Sequence, residues 1–470
     1  MAAYFAAVIG VGTYFTRQQR DAADYFLGRH ALPWWAVMLS IVATETSALT
    51  VISIPGVAAR GDLTFLQIPL GYLVGRIGVA LWLLPGYFRG EQETAYTRLE
   101  TRFGAGTRKV ASGVFMSIRA LGDSVRVFAT AIPLHIVTDL SIFWSVTLVA
   151  LATVAYTWAG GIKAVIWVDV MQMVLYVAAG IATIVVAAGF AGGLGTALSA
   201  ALSEGKLKAV DLNFSFSSTY TLAGGVIGGA LLSAASHGTD HLIVQRLLAT
   251  RALRDARKAL VGSGVVVIAQ FVVFLLAGTL LWAAGADDGI RASDEIFPAF
   301  IVDRLPAGLS GLVIAGLFAA AMSTVSSSLN SLASATTHDF YAPLTRRRDT
   351  RHLLSVGRWA TLGWAVVLAA GALSFGSPDK PVVELALSFA SIAYGGLLGT
   401  YILGGMFRRA RQRDAIAAMA VATVAMLAIV FGKPGPLGNL AWPWYVPLGT
   451  TIAVATGAAL SSLGSQKEPS

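Results

Sequence analysis

The stretch Ala43-Thr44-Glu45-Thr46-Ser47-Ala48-Leu49-Thr50 sets one carboxylate and four hydroxyls in an otherwise apolar run, with Ser53-Ile54-Pro55-Gly56 just behind. Hydroxyls, a carboxylate and backbone carbonyls freed by an interrupted helix are what a hard cation such as Na⁺ takes as ligands. Proline removes a backbone donor and frees an upstream carbonyl, so an unwound segment is expected at Pro55-Gly56. The alternative is a kinked helix whose hydroxyls bond back to their own carbonyls. A second cluster runs from Ala319 to Ser331, where Ser323, Ser326 and Ser327 share a face and Thr324 and Ser328 flank it. Close helix packing explains its alanines but not its hydroxyls. Asp169 stands alone in an apolar run, where it either joins a cation site, or snorkels to the membrane interface or pairs with Lys163. Arg119, Asp123 and Arg126 are spaced as a self-neutralising ladder, with Arg126 otherwise available as a fork for a solute carboxylate.

Other chemistries find no support. There is no Cys, no His or Cys cluster for a transition metal is apparent, and no GxxxxGK[ST] is present. Thiol catalysis and ATP-driven transport on this chain are excluded. No nucleophile–base pair is apparent in the hydroxyl clusters, and His237 and His241 fall in another segment. An enzyme is therefore not expected.

The elements that must carry these residues are membrane helices. Hydrophobic residues make up 56% of the 470, charged residues only 13%, and mean hydropathy is +0.70. A soluble domain carries about 25% charge. A bilayer core needs about 20 apolar residues per helix, which gives about thirteen spans. They lie near 2–15, 33–58, 63–87, 110–137, 140–158, 163–191, 219–243, 259–284, 306–335, 356–375, 382–405, 414–431 and 441–463. Residues 2–15 lack a basic leader, so no cleavable signal is expected. Sorting alternate connections by side puts 24 of the 34 lysines and arginines together, 7 opposite and 3 within spans. The positive-inside rule then sets the N-terminus outside and the C-terminus in the cytoplasm. The +9 charge lies along a membrane face, which accounts for it without nucleic acid. The whole chain, 1–470, reads as one polytopic domain in the cell (inner) membrane, in contact with the lipid bilayer.

Four motifs now carry a resemblance. They are Gly160-Gly161-x-Lys163-Ala164-Val165-x-Trp167-x-Asp169-x-x-Gln172, the run Ala319 to Ser331, Asp24-Tyr25-Phe26-Leu27-Gly28-Arg29 before Leu32-Pro33-Trp34-Trp35, and Gly238-Thr239-Asp240-x-x-x-Val244-Gln245-Arg246. Over nearly its whole length the chain resembles the sodium/solute symporter family, which includes sodium/glucose, sodium/proline, sialic acid and iodide transporters. The resemblance implies an all-α integral membrane protein with a LeuT-type 5+5 inverted repeat. Its repeats would be 33–192 and 216–405, after an extra N-terminal helix and loop (1–32) and before two C-terminal helices and a tail (406–470). It implies Na⁺-coupled symport of a small-molecule organic solute. A common Na⁺ site would fall on the carbonyls of Ala43, Thr46 and Ala320 and the hydroxyls of Ser323 and Thr324. A second, found in some members, would use Asp169 with Ser323, Ser326 and Ser327. Solute candidates are Glu45, Ser47, Thr50, Gln67, Arg126 and Ser233. Ser233, Ser236, Thr50 and Asp240-His241 all depart from the sugar-transporting branch, while Arg126 stands near the carboxylate-binding arginine of the sialic acid branch. A carboxylate-bearing solute, such as a sialic acid or a monocarboxylate, is thus expected ahead of a neutral sugar. A proton-coupled symporter and a transporter-like membrane sensor are the rivals.

Overall fold

In lipid every backbone group must be paired within the chain, so the long apolar runs form helices. The computed structural model describes residues 6–8, 10, 11, 14, 15, 20–89, 93–290, 292–306, 308–374 and 382–465. The expected span at 2–15 lies mostly outside them. Among the described residues seven helices are long and apolar enough to cross a bilayer, and a bent pair makes up to eight.

A short α1 (Ala22–Leu27) precedes α2 (Trp34–Glu45) and α3 (Ala48–Arg60), the two halves of the bent pair. Then come α4 (Gln67–Gly78), α5 (Ala105–Thr138) and α6 (Ile142–Phe190). A second interrupted segment follows as α7 (Gly229–Gly238) and α8 (His241–Leu248). The chain continues with α9 (Leu253–Ala283), α10 (Ser293–Asp303), α11 (Leu309–Ala335), α12 (Thr350–Ala372), α13 (Val382–Met406), α14 (Gln412–Gly432) and α15 (Tyr445–Ser465). Helix α11 is the core, buried without interruption from Ala315 to Ala335.

The first break is not where the proline suggested. Thr46 (ψ 93°) and Ser47 (ψ 171°) are extended, and the helix axes on either side meet at 62°. Pro55 sits inside α3. Its carbonyl lies so close to α9 that a Cβ on Gly278 would come within 2.0 Å of it, so Pro55-Gly56 serves close packing rather than unwinding. The interruption falls instead in the hydroxyl run, where tertiary partners take over. Gln270 Nε2 donates to Thr46 Oγ1 (2.6 Å), and Thr44 Oγ1 bonds back to Ser40 O (2.7 Å). The second break is at Thr239, after which Asp240 caps α8 by accepting from Leu242 N (2.9 Å).

The spans expected at 140–158 and 163–191 are two helices, Ile142–Trp158 and Gly160–Phe190, with a sharp turn at Gly161 (φ 57°, ψ −158°). A side chain there would be strained and would strike Tyr25 O at 2.6 Å. The turn brings Lys163 to Asp24 of α1 (3.5 Å) and away from Asp169. Helices α4 and α7 touch backbone to backbone. A Cβ on Gly71 would lie 2.3 Å from Gly225 O, and one on Gly75 would lie 2.1 Å from Ala230 O.

Candidate functional site

The end of α2 meets the middle of α11. A helix end leaves its last carbonyls without intrahelical donors, and those of α2 include Ala43 and Thr44, with Thr46 capping. Thr324 Oγ1 of α11 lies 3.4 Å from Thr44 O and 3.3 Å from Ala320 O. Carbonyl and hydroxyl oxygens therefore gather at this junction. Ser323 looks the other way, its hydroxyl donating to Asp169 Oδ1 (2.6 Å).

Asp169 is wholly buried. Besides Ser323 it accepts from Ser40 Oγ (2.5 Å) and Thr44 Oγ1 (3.5 Å), and it pairs with Arg246 Nη2 (3.2 Å). A bare carboxylate at this depth is prohibitive; a guanidinium and three hydroxyls answer it. Arg246 is itself spent, bonding Ser40 Oγ and Leu242 O (each 2.9 Å) and Ser327 Oγ. Ser326 turns back to its own helix at Ser323 O (3.0 Å). Asp169, Ser323 and Ser327 are thus together, and Ser326 is not part of the group. Ser40 and Arg246 are additions. Ser40 precedes Thr44 by one helical turn, and Arg246 closes one of the motifs noted above, which is where a signal lay.

On the far side of the α2–α3 break is a cavity of about 100 Å³, lined by Glu45, Thr50, Tyr72, Arg119, Arg126, His237 and Tyr394 among others. That is well under the ~300 Å³ at which ligand pockets usually begin. The ladder on α5 forms its wall. Arg126 Nη1 donates to Asp123 Oδ1 (2.5 Å), with Arg119 Nη1 at 3.7 Å from the same oxygen. Arg119 reaches on to Asp240 and donates to Tyr394 OH (2.9 Å), which in turn donates to Asp240 (2.5 Å). The Nε groups of Arg119 and Arg126 are buried and make no hydrogen bond among the described residues. Glu45 accepts from Arg76, and His237 Nε2 stands 3.7 Å from it. Of the solute candidates, Glu45, Thr50 and Arg126 line the cavity. Ser47, Gln67 and Ser233 are buried but do not. Gln67 is engaged by backbone, bonding Thr64 O (3.0 Å), Tyr220 O (3.2 Å) and Asp211 N (3.0 Å). Sequence reasoning named neither Arg119 nor His237 nor Tyr394 as a solute contact; each is brought in by a partner remote in sequence. Among the described residues no group of three or more His, Asp or Glu is placed to hold a metal ion.

Two interrupted helices, an oxygen-lined junction between one of them and α11, and a cavity beside it are the build of an ion-coupled membrane carrier. The solved substrate-bound outward-open state of a Na⁺-coupled sialic acid symporter superposes with a TM-score of 0.88 at 26% identity, over 98% of this chain and 96% of that one. The sodium/sialic acid symporter NanT of Aliivibrio fischeri is 30% identical over 465 residues, covering 97% of this chain and 90% of the relative. SiaT of Proteus mirabilis, also a sodium/sialic acid symporter, is 27% identical over 475 residues, 98% and 93% of the two chains. The sodium:solute symporter family model matches residues 25–422, and the chain belongs to that family. It is a multi-pass membrane transporter rather than an enzyme, and Na⁺ is its coupling ion.

Proposed function

We propose that the protein carries a small carboxylate-bearing organic solute inward with Na⁺ across the cell (inner) membrane. The observation that carries this reading is the pair of buried, unfilled guanidinium donors, Nε of Arg119 and of Arg126, at the wall of the central cavity. An arginine cannot shed its charge, and a planar fork with a spare donor suits a carboxylate. The sialic acid carried by the relatives is one such solute; a monocarboxylate is another, and the contracted cavity favours the smaller unless its outer side opens further. A neutral sugar would leave those donors unanswered.

The common Na⁺ site is assigned to Ala43, Thr46, Ala320, Ser323 and Thr324; the contact of Thr324 with the end of α2 supports it, and Ser323 would have to turn from Asp169 to join it. A second Na⁺ at Asp169 with Ser323 and Ser327 would have to displace or share with Arg246. Na⁺ at the common site would hold α2 against α11 and favour one access state, which is what coupling requires. The topology that suits this cycle has about thirteen spans, two inverted five-helix repeats over 33–192 and 216–405, an outside N-terminus and a cytoplasmic C-terminus. Uptake into proteoliposomes tests the proposal. An inward Na⁺ gradient, but not a K⁺ gradient, should drive accumulation of a sialic acid or a monocarboxylate. Accumulation of neutral sugars with every carboxylate inert would overturn it.

A further inference from the structure

A second, larger cavity of about 700 Å³ lies apart from the ion and solute sites, where α1, the segment 93–100 and the α11–α12 connection meet. It belongs to the basic face assigned above to the cytoplasm. Its floor is a closed polar knot. Arg108 donates to Asp339 Oδ1 (2.7 Å), Glu100 Oε2 (2.6 Å) and His338 O (2.9 Å), and Asp339 also accepts from Thr94 and Ser112 (each 2.7 Å). The two lining carboxylates turn to this floor. Glu100 is bound to Arg108, and Glu93 stands 3.4 Å from His338 Nδ1 and 4.0 Å from Arg108. The His338 ring beside it, with Arg108 and Arg348 nearby, holds the Glu93 carboxyl below its usual range against the opposing effect of burial.

The rim is different. Arg346, Arg347 and Arg348 all line this one cavity, are exposed, and make no ion pair among the described residues. Consecutive residues of a strand point to opposite faces, and those of a helix point about 100° apart. Three in a row converge here because Arg346 takes a left-handed turn (φ 55°). The positive-inside rule asks only that such charges lie on the face; it does not ask that they converge on a hollow. Apolar residues complete the lining, among them Ala23, Leu27 and Leu353.

We propose that this cavity binds a phosphate-bearing anion, its phosphate in the guanidinium forks of Arg346, Arg347 and Arg348 and its less polar part against Leu27 and Leu353. Guanidinium forks match phosphate oxygens bidentately, and the volume suits a nucleotide-sized or headgroup-sized ligand. Because the walls come from the N-terminal segment and from both halves of the chain, occupancy stabilises this arrangement of the three and is thereby linked to the transport cycle.

The test uses the full chain in neutral-lipid nanodiscs. Pyrophosphate binding is titrated calorimetrically, and thermal stability is compared in phosphatidylcholine nanodiscs with and without phosphatidylglycerol. A rim variant (Arg346→Gln, Arg347→Gln, Arg348→Gln) is set against a control with equal charge loss on the same face (Arg408→Gln, Arg409→Gln, Arg413→Gln). Saturable pyrophosphate binding that the rim variant weakens about tenfold or more, and the control leaves unchanged, supports a soluble phosphate ligand. Stabilisation by phosphatidylglycerol alone, lost only in the rim variant, supports a lipid headgroup. Equal responses of both variants, or no response to either probe in the unaltered protein, overturn the site. Arg347→Glu, a single change at an exposed position, repeats the measurement should the triple variant fold poorly, and Na⁺-dependent stabilisation reports that the fold is intact.

Discussion

Asp169 and Asp123 are a matched pair with different consequences. Each is wholly buried, each accepts a hydroxyl from α11 (Ser323 and Ser328), and each faces arginine. Around Asp169 the account closes. Arg246 is fully buried and bonded to a carboxylate, two serines and a carbonyl. Around Asp123 it stays open, since Arg119 and Arg126 reach the cavity and each keeps a buried Nε without a partner. The comparison teaches that a buried ion pair becomes a binding element when its cation has donors to spare beside a space. Where every donor is matched, the pair instead holds helices together.

Substitutions can break the comparison. The largest effect is expected from Arg246→Ala, which strands a buried carboxylate and should cost about 3–5 kcal/mol in denaturant unfolding. If Asp169 is also a cation ligand, saturating Na⁺ recovers part of that loss and K⁺ does not. Next is Arg126→Ala, which should weaken binding of carboxylate solutes roughly 10- to 100-fold while Na⁺-induced thermal stabilisation is kept. A solute bound at full affinity by this variant ends the carboxylate reading. Smaller again, Ser323→Ala with Thr324→Ala should raise the Na⁺ concentration for half-maximal uptake by about tenfold, as expected when two oxygens leave a hard-cation site. Unchanged Na⁺ dependence in the folded variant removes both residues from the common site. The smallest effect separates the two aspartates directly. Ser328→Ala and Ser323→Ala each delete one hydrogen bond, worth about 1 kcal/mol. Only Ser323→Ala should move the Na⁺ dependence of uptake.

Much of the fold was legible because lipid leaves few choices: long apolar runs become helices, and the spans near 259–284, 414–431 and 441–463 answer to α9, α14 and α15. The Arg119–Asp123–Arg126 ladder was legible for the same local reason, its i, i+3 and i, i+4 spacing on one helix. What failed was local inference about non-local geometry. Proline pointed to a break at 55, but packing against Gly278 absorbed it, and the hydroxyl run gave way at Thr46–Ser47 instead. Lys163 was the alternative partner offered for Asp169, but the turn at Gly161 sends it to Asp24. The actual partner, Arg246, is 77 residues away along the chain, and Tyr394 is 275 residues from the arginine it touches. No spacing rule reaches that far. Gln67 looked polar and central, yet its amide is used to tie an outer segment at Asp211 and Tyr220 to α4.

The contact of α4 with α7 has a mechanical corollary. With Gly71 and Gly75 set against the backbone at Gly225 and Ala230, there is no side-chain cushion between the two rods, and neither can rotate or slide without collision. They travel as one spar. Tyr72 and Arg76 on the first, and Ser236 and His237 on the second, therefore keep their mutual spacing through any stroke of the carrier. On the proposed reading of the cavity as the solute site, gripping and release are then expected of the opposite jaw, built from α5 and α13. Gly75→Ala, by forcing the rods apart, would slacken the fixed jaw from outside the cavity.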